Sequence, residues 1–235
     1  SVLTGQWGDY GLPPGKSSFA MHAMVARHYL DGGNYPVGGS RMIAEYVTDL
    51  IESLNGKVLV NAGVDEIIVK GKKTVGVRLD NGDELFANKV VSSAGLMNTM
   101  KTFLRNHRLS GQLSSKLKNV QPTESYVCLY IGLNKTAEEL GLKTTNLWIY
   151  PGYDHDQNVA KYQNDPDGEF PVVYVSFPSA KDPDWDKNHP GCATMEAITL
   201  GRWEWYKEWE NKPWKKRGDS YEDFKESVSQ KILDV

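Results

Sequence analysis

The sequence predicts an α+β fold built on antiparallel sheets. Three observations carry this. A glycine-bearing turn feeds an amphipathic run from Arg41 to Leu54, short β-prone runs punctuated by tight turns follow up to Val91, and further β-prone runs lie between Ser125 and Leu200. In the first of these, Met42, Ile43, Tyr46, Val47, Leu50, Ile51 and Leu54 fall at helical spacing, Asn55-Gly56 ends the run, and Ser40 stands where an N-cap is wanted. The turn ahead of it, Tyr35-Pro36-Val37-Gly38-Gly39-Ser40, has no side chain at its glycines to keep a flat ligand away from the backbone. A helix start also gathers unpaired N–H groups and partial positive charge, so this loop can meet a polar or anionic ring edge. The same residues equally suit a plain tight turn before a packed helix.

After the helix, Val58 to Val60, Val64 to Val69, Thr74 to Leu79 and Glu84 to Ala87 read as strands. Lys70-Gly71-Lys72-Lys73 and Asp80-Asn81-Gly82-Asp83 connect them, the second carrying an Asn-Gly pair suited to a hairpin turn with positive φ. The result is a small antiparallel meander. Lys89 to Gly95 is then a short apolar strand through Val90-Val91 that runs into small residues, as where backbone must approach a ligand closely.

The pattern changes near Leu96. Met97 to Leu117 reads as helical pieces, and Ser125 to Leu133, Asn146 to Tyr150, Val172 to Phe177 and Cys192 to Leu200 read as an antiparallel sheet with long polar connections at 153–169 and 178–190. Tyr126 shares a strand face with Tyr130, and Trp148 with Tyr150. Such a face is either core or the floor of a pocket for a long apolar ligand, with Tyr130, Trp148 and Tyr150 as the candidate contacts. Trp203, Trp205, Trp209 and Trp214 do not form one helical stripe, so some must be exposed or meet other structure. Ser220 suits an N-cap for a last amphipathic helix through Leu233, with Tyr221, Phe224, Val228 and Ile232 on one face.

Composition narrows the function. With 235 residues, 40% of them hydrophobic, the chain can bury a substantial core, and a net charge of −3 gives no electrostatic footprint for nucleic acid. The basic group Lys212, Lys215, Lys216 and Arg217 is ringed by Glu208, Glu210, Asp219 and Glu222, which reads as a solvated face. No apolar run reaches the ~20 residues of a membrane span. The expected location is the cytoplasm or, peripherally, a membrane surface. Cys128 and Cys192 are too few for a disulfide framework or a zinc cage and read as buried thiols, and the five histidines are scattered, so no metal site is expected. Gly15-Lys16-Ser17 imitates the end of a phosphate loop, but Tyr10 stands where that loop needs glycine, and Pro13 and Pro14 interrupt it.

Six separated segments together resemble a known family: Gly8-Asp9-Tyr10-Gly11-Leu12-Pro13-Pro14, Ser18-Phe19-Ala20-Met21-His22-Ala23, His28-Tyr29, Tyr35 to Ser40, Val75-Gly76-Val77 and Val90-Val91-Ser92-Ser93-Ala94-Gly95. They are similar to the middle of flavin-dependent oxidoreductases of the phytoene desaturase and carotenoid isomerase superfamily, above all its retinol saturase branch. The resemblance implies FAD. It puts Tyr35, Pro36, Gly38, Gly39 and Ser40 near the isoalloxazine ring, the backbone of Val64 at the adenine, and Ser93, Ala94 and Gly95 along the cofactor cleft. It also implies that residues 35–96 are an incomplete FAD-binding, glutathione-reductase-like portion containing the meander, and that 1–34 and 97–235 form a discontinuous substrate-binding domain. The implied substrate is an apolar polyene to be saturated, desaturated or isomerised. No catalytic residue is identified; Tyr35 is the candidate nearest the ring, without a proton-transfer role.

The family's opening G-x-G-x-x-G and its closing glycine-rich segment are both missing from these residues. The chain therefore reads as an interior segment, its N- and C-terminal partners belonging to the same longer protein, and is expected to hold no FAD by itself. A module that sequesters a pigment or lipid without chemistry is the alternative.

Overall fold

The computed structural model describes residues 2–108, 111, 117, 120, 123–165 and 167–235. It divides into two compact units, one of residues 1–46 with 123–235 and one of residues 47–122.

The first unit is organised by a four-stranded antiparallel sheet in the order β4-β7-β6-β5, made of β4 (Ser125–Leu133), β5 (Leu147–Ile149), β6 (Val173–Ser176) and β7 (Ala193–Gly201). All four lie within the runs that the alternation predicts, apart from the last residue of β7. β7 pairs with β4 from Ser125↔Gly201 to Leu133↔Ala193, and with β6 from Val173↔Thr199 to Ser176↔Glu196. This register stacks Val173, Val175, Ala197 and Thr199 on one face, where they are buried with Val159, Tyr162 and Ile232 in a single core. Two hydroxyls drawn in are satisfied: Thr199 Oγ1 donates to the Val172 carbonyl at 2.6 Å and Tyr162 Oη to the Leu200 carbonyl at 2.9 Å.

Helices fill the stretches read as polar connections. Residues 153–169 contain the helix His155–Asn164, whose first turn is capped by Asp154 accepting from the Gln157 N–H at 2.9 Å. His155, Val159 and Tyr162 turn inward, and only two of these are apolar, which is why the run reads as a loop. Pro178–Lys181 and Trp185–Asn188 are single helical turns within 178–190. Helix α1 (Phe19–His28) buries none of its residues and so leaves no periodic signal.

The last helix, Asp219–Leu233, is capped at Gly218 rather than at Ser220, which lies in the first turn with its hydroxyl accepting from the Trp209 indole N–H at 3.2 Å. Its apolar face behaves as its spacing predicts, with Phe224 stacked on Trp209 at 5.5 Å and Ile232 in the core. The tryptophans divide: Trp209 is buried, Trp205 packs edge-on to Tyr162, and Trp203 and Trp214 are exposed. Cys128 and Cys192 are free and half-buried rather than buried, and Cys192 lies one residue ahead of β7. Gly15 lies in a 3-10 turn and donates its N–H to the Asp156 carboxylate, so it faces an anion of the protein itself.

The second unit contains the expected meander, with β1 (Val64–Lys70), β2 (Lys73–Leu79) and β3 (Glu84–Phe86) in sequential antiparallel order. Arg78 on β2 spans it, paired with Glu66 on β1 and Glu84 on β3. Helix α2 (Arg41–Ser53) follows the predicted run and crosses from one unit to the other. Two expectations fail: Val58 to Val60 and Val90-Val91 are not strands, and Val58, Leu59, Val60 and Val91 are exposed. Apolar β-prone residues form a strand only where another strand supplies a ladder, and among the described residues none pairs with them. The helical reading of 97–117 holds as one helical turn, Leu96–Asn98, and a π-helical turn, Thr99–Phe103; most of it past residue 108 lies outside the described residues.

Trp7 is 0% exposed and sits in the core of the first unit. Replacing it with Ala is expected to lower the unfolding free energy by about 3–5 kcal/mol, the usual cost of an aromatic cavity. Its indole N–H has no partner among the described residues, so Trp7→Phe forfeits volume but no hydrogen bond and is expected to cost less. Denaturant midpoints check both; a Trp7→Ala midpoint equal to wild type would remove the N-terminal segment from the folding unit.

Candidate functional site

The face of the first sheet opposite Ala197 and Thr199 is largely aromatic and, outside the buried Leu200 and Ser176, only half-buried or exposed. Alternation puts Tyr126, Cys128 and Tyr130 of β4, Glu196 and Ile198 of β7, Tyr174 and Ser176 of β6 and Trp148 of β5 on it. Cys128, Ile198, Tyr174 and Trp148 make one row across the sheet, and Tyr130, Glu196 and Ser176 the next. Trp148 and Tyr174 meet edge to face at 4.8 Å.

One end of this face is roofed by residues 5–11. Gly8 lies so close to the Trp148 ring that a Cβ there would approach it to 2.7 Å, Tyr126 Oη donates to the Gly8 carbonyl at 2.8 Å, and Tyr150 Oη donates to the Gly5 carbonyl. Of the three candidate substrate contacts, Trp148 and Tyr150 are therefore partly covered, whereas Tyr130 is 75% exposed. Tyr150 also packs on His155 at 4.6 Å.

The glycine loop belongs to the same unit. The Gly39 N–H donates to the Pro36 carbonyl at 3.0 Å and closes a turn in which Gly38 and Gly39 both have φ of 85°. The Gly38 N–H donates to Asp182 Oδ1 at 2.9 Å, and Asp182, 8% exposed, also accepts from the Asp184 N–H. These two glycine N–H groups have partners inside the unit. The loop instead offers bare surface: a Cβ built on Gly39 meets nothing within 4 Å. Ser40 precedes α2, its carbonyl accepting from the Ile43 N–H at 3.2 Å. Burial, then the Asp182 and Glu196 charges, hold the Tyr35 phenol above its ordinary pKa.

The remaining candidate cofactor residues lie in the second unit. Val64 opens β1, paired with Leu79, and Ser93 and Ala94 are exposed backbone without a ladder. Gly95, φ 85°, leads into the turn at Leu96, its carbonyl accepting from the Thr99 N–H and Oγ1. A Cβ on Gly95 also meets nothing within 4 Å. Beside β2 and β3 this unit has an open cleft of about 1070 Å³ lined by Val75, Phe86, Lys89 and Val91 among others.

Sequence reasoning missed Lys181, Asp182 and Glu196. Glu196 had a readable signal, since it is the only charge in the run Ala193 to Gly201. Asp182 had none, because its partner Gly38 is 144 residues away. Among the described residues no group of three or more His, Cys, Asp or Glu could hold a metal ion, and no helix is long and apolar enough to cross a membrane.

No family model matches the chain. Known proteins do. The human all-trans-retinol 13,14-reductase is 36% identical over 244 residues, taking in 100% of this chain and 40% of the reductase. The chloroplastic prolycopene isomerase of Daucus carota is 34% identical over 114 residues, 48% of this chain and 18% of the isomerase. The chain matches the retinol saturase branch of the phytoene desaturase and carotenoid isomerase superfamily. It spans 40% of the length of that human relative. A solved oxidoreductase from Methanosarcina mazei superposes with a TM-score of 0.55 at 16% identity, covering 84% of this chain and 39% of its own, which shows a shared fold. The six motif segments thus sit within a likeness that runs the full length of the chain.

Burial is the largest cause holding the phenols of Tyr126, Tyr150, Tyr162 and Tyr174 above their ordinary pKa. A raised folded pKa favours the neutral phenol, so the stability it contributes is complete below the unfolded value of about 10 and is lost as pH climbs through the folded values. On alkaline titration the phenolate absorbance of Tyr150 and Tyr162 is expected to stay silent until the chain unfolds and then to rise together with the loss of circular dichroism. Full phenolate absorbance near pH 10 with intact dichroism would contradict this burial.

Proposed function

We propose that the chain is the substrate-domain-bearing part of an FAD-dependent oxidoreductase that saturates, desaturates or isomerises an apolar polyene of carotenoid or retinoid type. In this reading residues 35–96 are part of the FAD-binding portion, and 1–34 with 97–235 form the substrate domain. The observation that carries it is the hydrogen bond from Gly38 to Asp182, which ties the glycine loop to the sheet unit whose half-open face is aromatic. A bare loop for a flat ring and a floor of Tyr130, Trp148 and Tyr174 for a conjugated chain thereby belong to one folded unit.

The residues fit the cofactor by shape rather than by charge. Gly39 leaves open the space that a side chain would fill, as backbone brought against a flat ring requires. FAD, when bound, would carry the hydride, while the chain's own residues orient the polyene, exclude water and hold the ring face free of side chains. The incomplete state of the FAD portion is supported by its uncovered apolar surface: Val47, Leu50 and Leu54 of the α2 run, Val58 to Val60 and Val91 are all exposed.

Two measurements test the reading. In the complete protein, Gly39→Val puts a β-branched side chain at φ 85°, which costs on the order of 1–3 kcal/mol in strain. It is expected to leave a folded protein whose flavin absorbance per chain falls towards zero; a variant that stays yellow at wild-type stoichiometry would make the loop structural only. The 235-residue chain alone is expected to purify colourless. Losing even ~5 kcal/mol of contacts to the pyrophosphate and ribose weakens FAD by more than about a thousandfold, at 1.4 kcal/mol per tenfold. Flavin bands co-eluting at one per chain would overturn the reading of an incomplete site.

A further inference from the structure

Gly38 and Gly39 both stand at φ 85°, and a Cβ built on Gly39 meets nothing within 4 Å. A glycine visits positive and negative φ about equally, so the pair has no preference of its own that would hold this shape. The bond from the Gly39 N–H to the Pro36 carbonyl closes the loop on itself but does not set where the loop lies. Among the described residues, the bond from the Gly38 N–H to Asp182 Oδ1 at 2.9 Å is the one hydrogen bond that joins 36–40 to the sheet unit around it.

Asp182 keeps a fixed place. It is 8% exposed and ends the helical turn Pro178–Lys181, its N–H donating to the Pro178 carbonyl at 3.2 Å and its carbonyl accepting from the Trp185 N–H at 3.1 Å. Its Oδ1 also accepts from the Asp184 N–H at 3.1 Å, which orients the carboxylate. The turn is fastened to the sheet in its own right. Buried Ser179 donates to the Thr194 carbonyl at 3.2 Å and accepts from the Thr194 N–H at 3.0 Å, near the start of β7, while Lys181 Nζ donates to Ser176 Oγ at 2.7 Å, at the end of β6. A path of short bonds thus runs from β6 and β7 through one turn to the glycine loop.

The last bond of that path is large enough to decide the loop's order. Fixing the backbone of one residue disfavours the ordered state by about five- to thirtyfold, and a hydrogen bond to a charged acceptor favours it by about ten- to a hundredfold. One such bond is comparable with the cost of ordering a glycine pair, so its loss releases the loop. A purely local role for Asp182 does not account for it: the Asp184 N–H alone closes the local turn, and the bond to Gly38, 144 residues away, adds nothing there.

Resting on the reading of this loop as the seat of the flavin, we propose that Asp182 is a positioning residue for the cofactor, its Oδ1 holding the Gly38-Gly39 backbone in the shape against which the flavin ring rests. It acts through Gly38 and needs no contact with the ring.

The test uses the complete protein, stripped of flavin and titrated with FAD, together with hydrogen exchange over residues 36–41, the visible circular dichroism of the bound flavin and the melting temperature. Asp182→Ala is expected to speed exchange over 36–41 by about tenfold or more and to weaken FAD by a comparable factor, since a bond to a charged group is lost. Asp182→Asn keeps an acceptor oxygen in the same place and is expected to recover most of both. Asp182→Glu keeps the charge but moves the acceptor by one methylene; it is expected to recover neither and to change the dichroism of the bound flavin. Unchanged FAD affinity in Asp182→Ala, an Asn variant no better than Ala, or losses that follow melting temperature across the three variants would overturn the role. If Asp182→Ala does not fold, wild type decides: exchange over 36–41 as fast as in a free peptide of that sequence would overturn it, and slow exchange in the flavin-free protein supports it. FAD affinity lost in Gly39→Val but kept in Asp182→Ala would overturn this role alone, whereas a wild-type protein that takes up no FAD would overturn the reading of the seat and this role with it.

Discussion

The two-residue alternation along the middle of β7, with Ala197 and Thr199 buried and Glu196 and Ile198 turned the other way, is the constraint on which the first unit depends. As the central strand it pairs on both sides, so shifting it by one residue would turn Ala197 and Thr199 out of the core and drive Glu196 into it. Burying that carboxylate without a partner costs several kcal/mol, and exposing the aliphatic set forfeits about 25 cal/mol for each Å² uncovered. Both penalties oppose the same slip. The register that fixes the core therefore also fixes which residues line the opposite, half-open face.

That second face is not uniform. At the Trp148 and Tyr126 end, backbone from residues 5–11 lies on the rings and receives their hydrogen bonds, so aromatic surface there contributes to folding. In the row of Tyr130 and Glu196 the cover gives way to a loop held by one buried carboxylate, Asp182. A single charge-assisted bond from Gly38 is a local and directional constraint: it sets where the glycine loop lies over the unit while leaving the loop's outer surface bare. Folding energy and binding surface are thus divided along one sheet, strand row by strand row.

Legibility in the sequence followed the range of the interactions. The seven strands among the described residues, the hairpin turns and α2 were readable because period, turn residues and helix ends are written within a few positions of each other. The helix His155–Asn164 was not, because only Val159 and Tyr162 of its apolar side reach the core and the polar remainder imitates a loop. Val58 to Val60 failed in the opposite direction: its residues have every strand preference, but a strand is a property of a pair and no partner lies among the described residues. At the site, the glycine loop and the aromatic faces could be read locally. The Gly38 to Asp182 bond and the meeting of Lys181 with the Glu196 row could not, since each joins residues that only the folded topology brings together.

The two units also differ in what holds them. The first buries Trp7, Val159, Val175 and Leu200 in one cluster, while the second has Ile67 at 7% exposure and leaves Leu50, Leu54, Phe86 and Val91 exposed. Its meander is cross-linked by Arg78 to Glu66 and Glu84, and Arg105 pairs with Asp65, but ion pairs this close to solvent contribute on the order of 1 kcal/mol or less each. An amphipathic helix gains most of its stability from the apolar face it packs, and along Val47, Leu50 and Leu54 that face is unpaid in this chain. The second unit is consequently expected to stand at the low end of local stability and to open first. Apolar surface added against α2 and the Val58 to Val60 run would stabilise it directly, so order in the glycine-to-helix segment and order in the meander are expected to rise together when such surface is supplied.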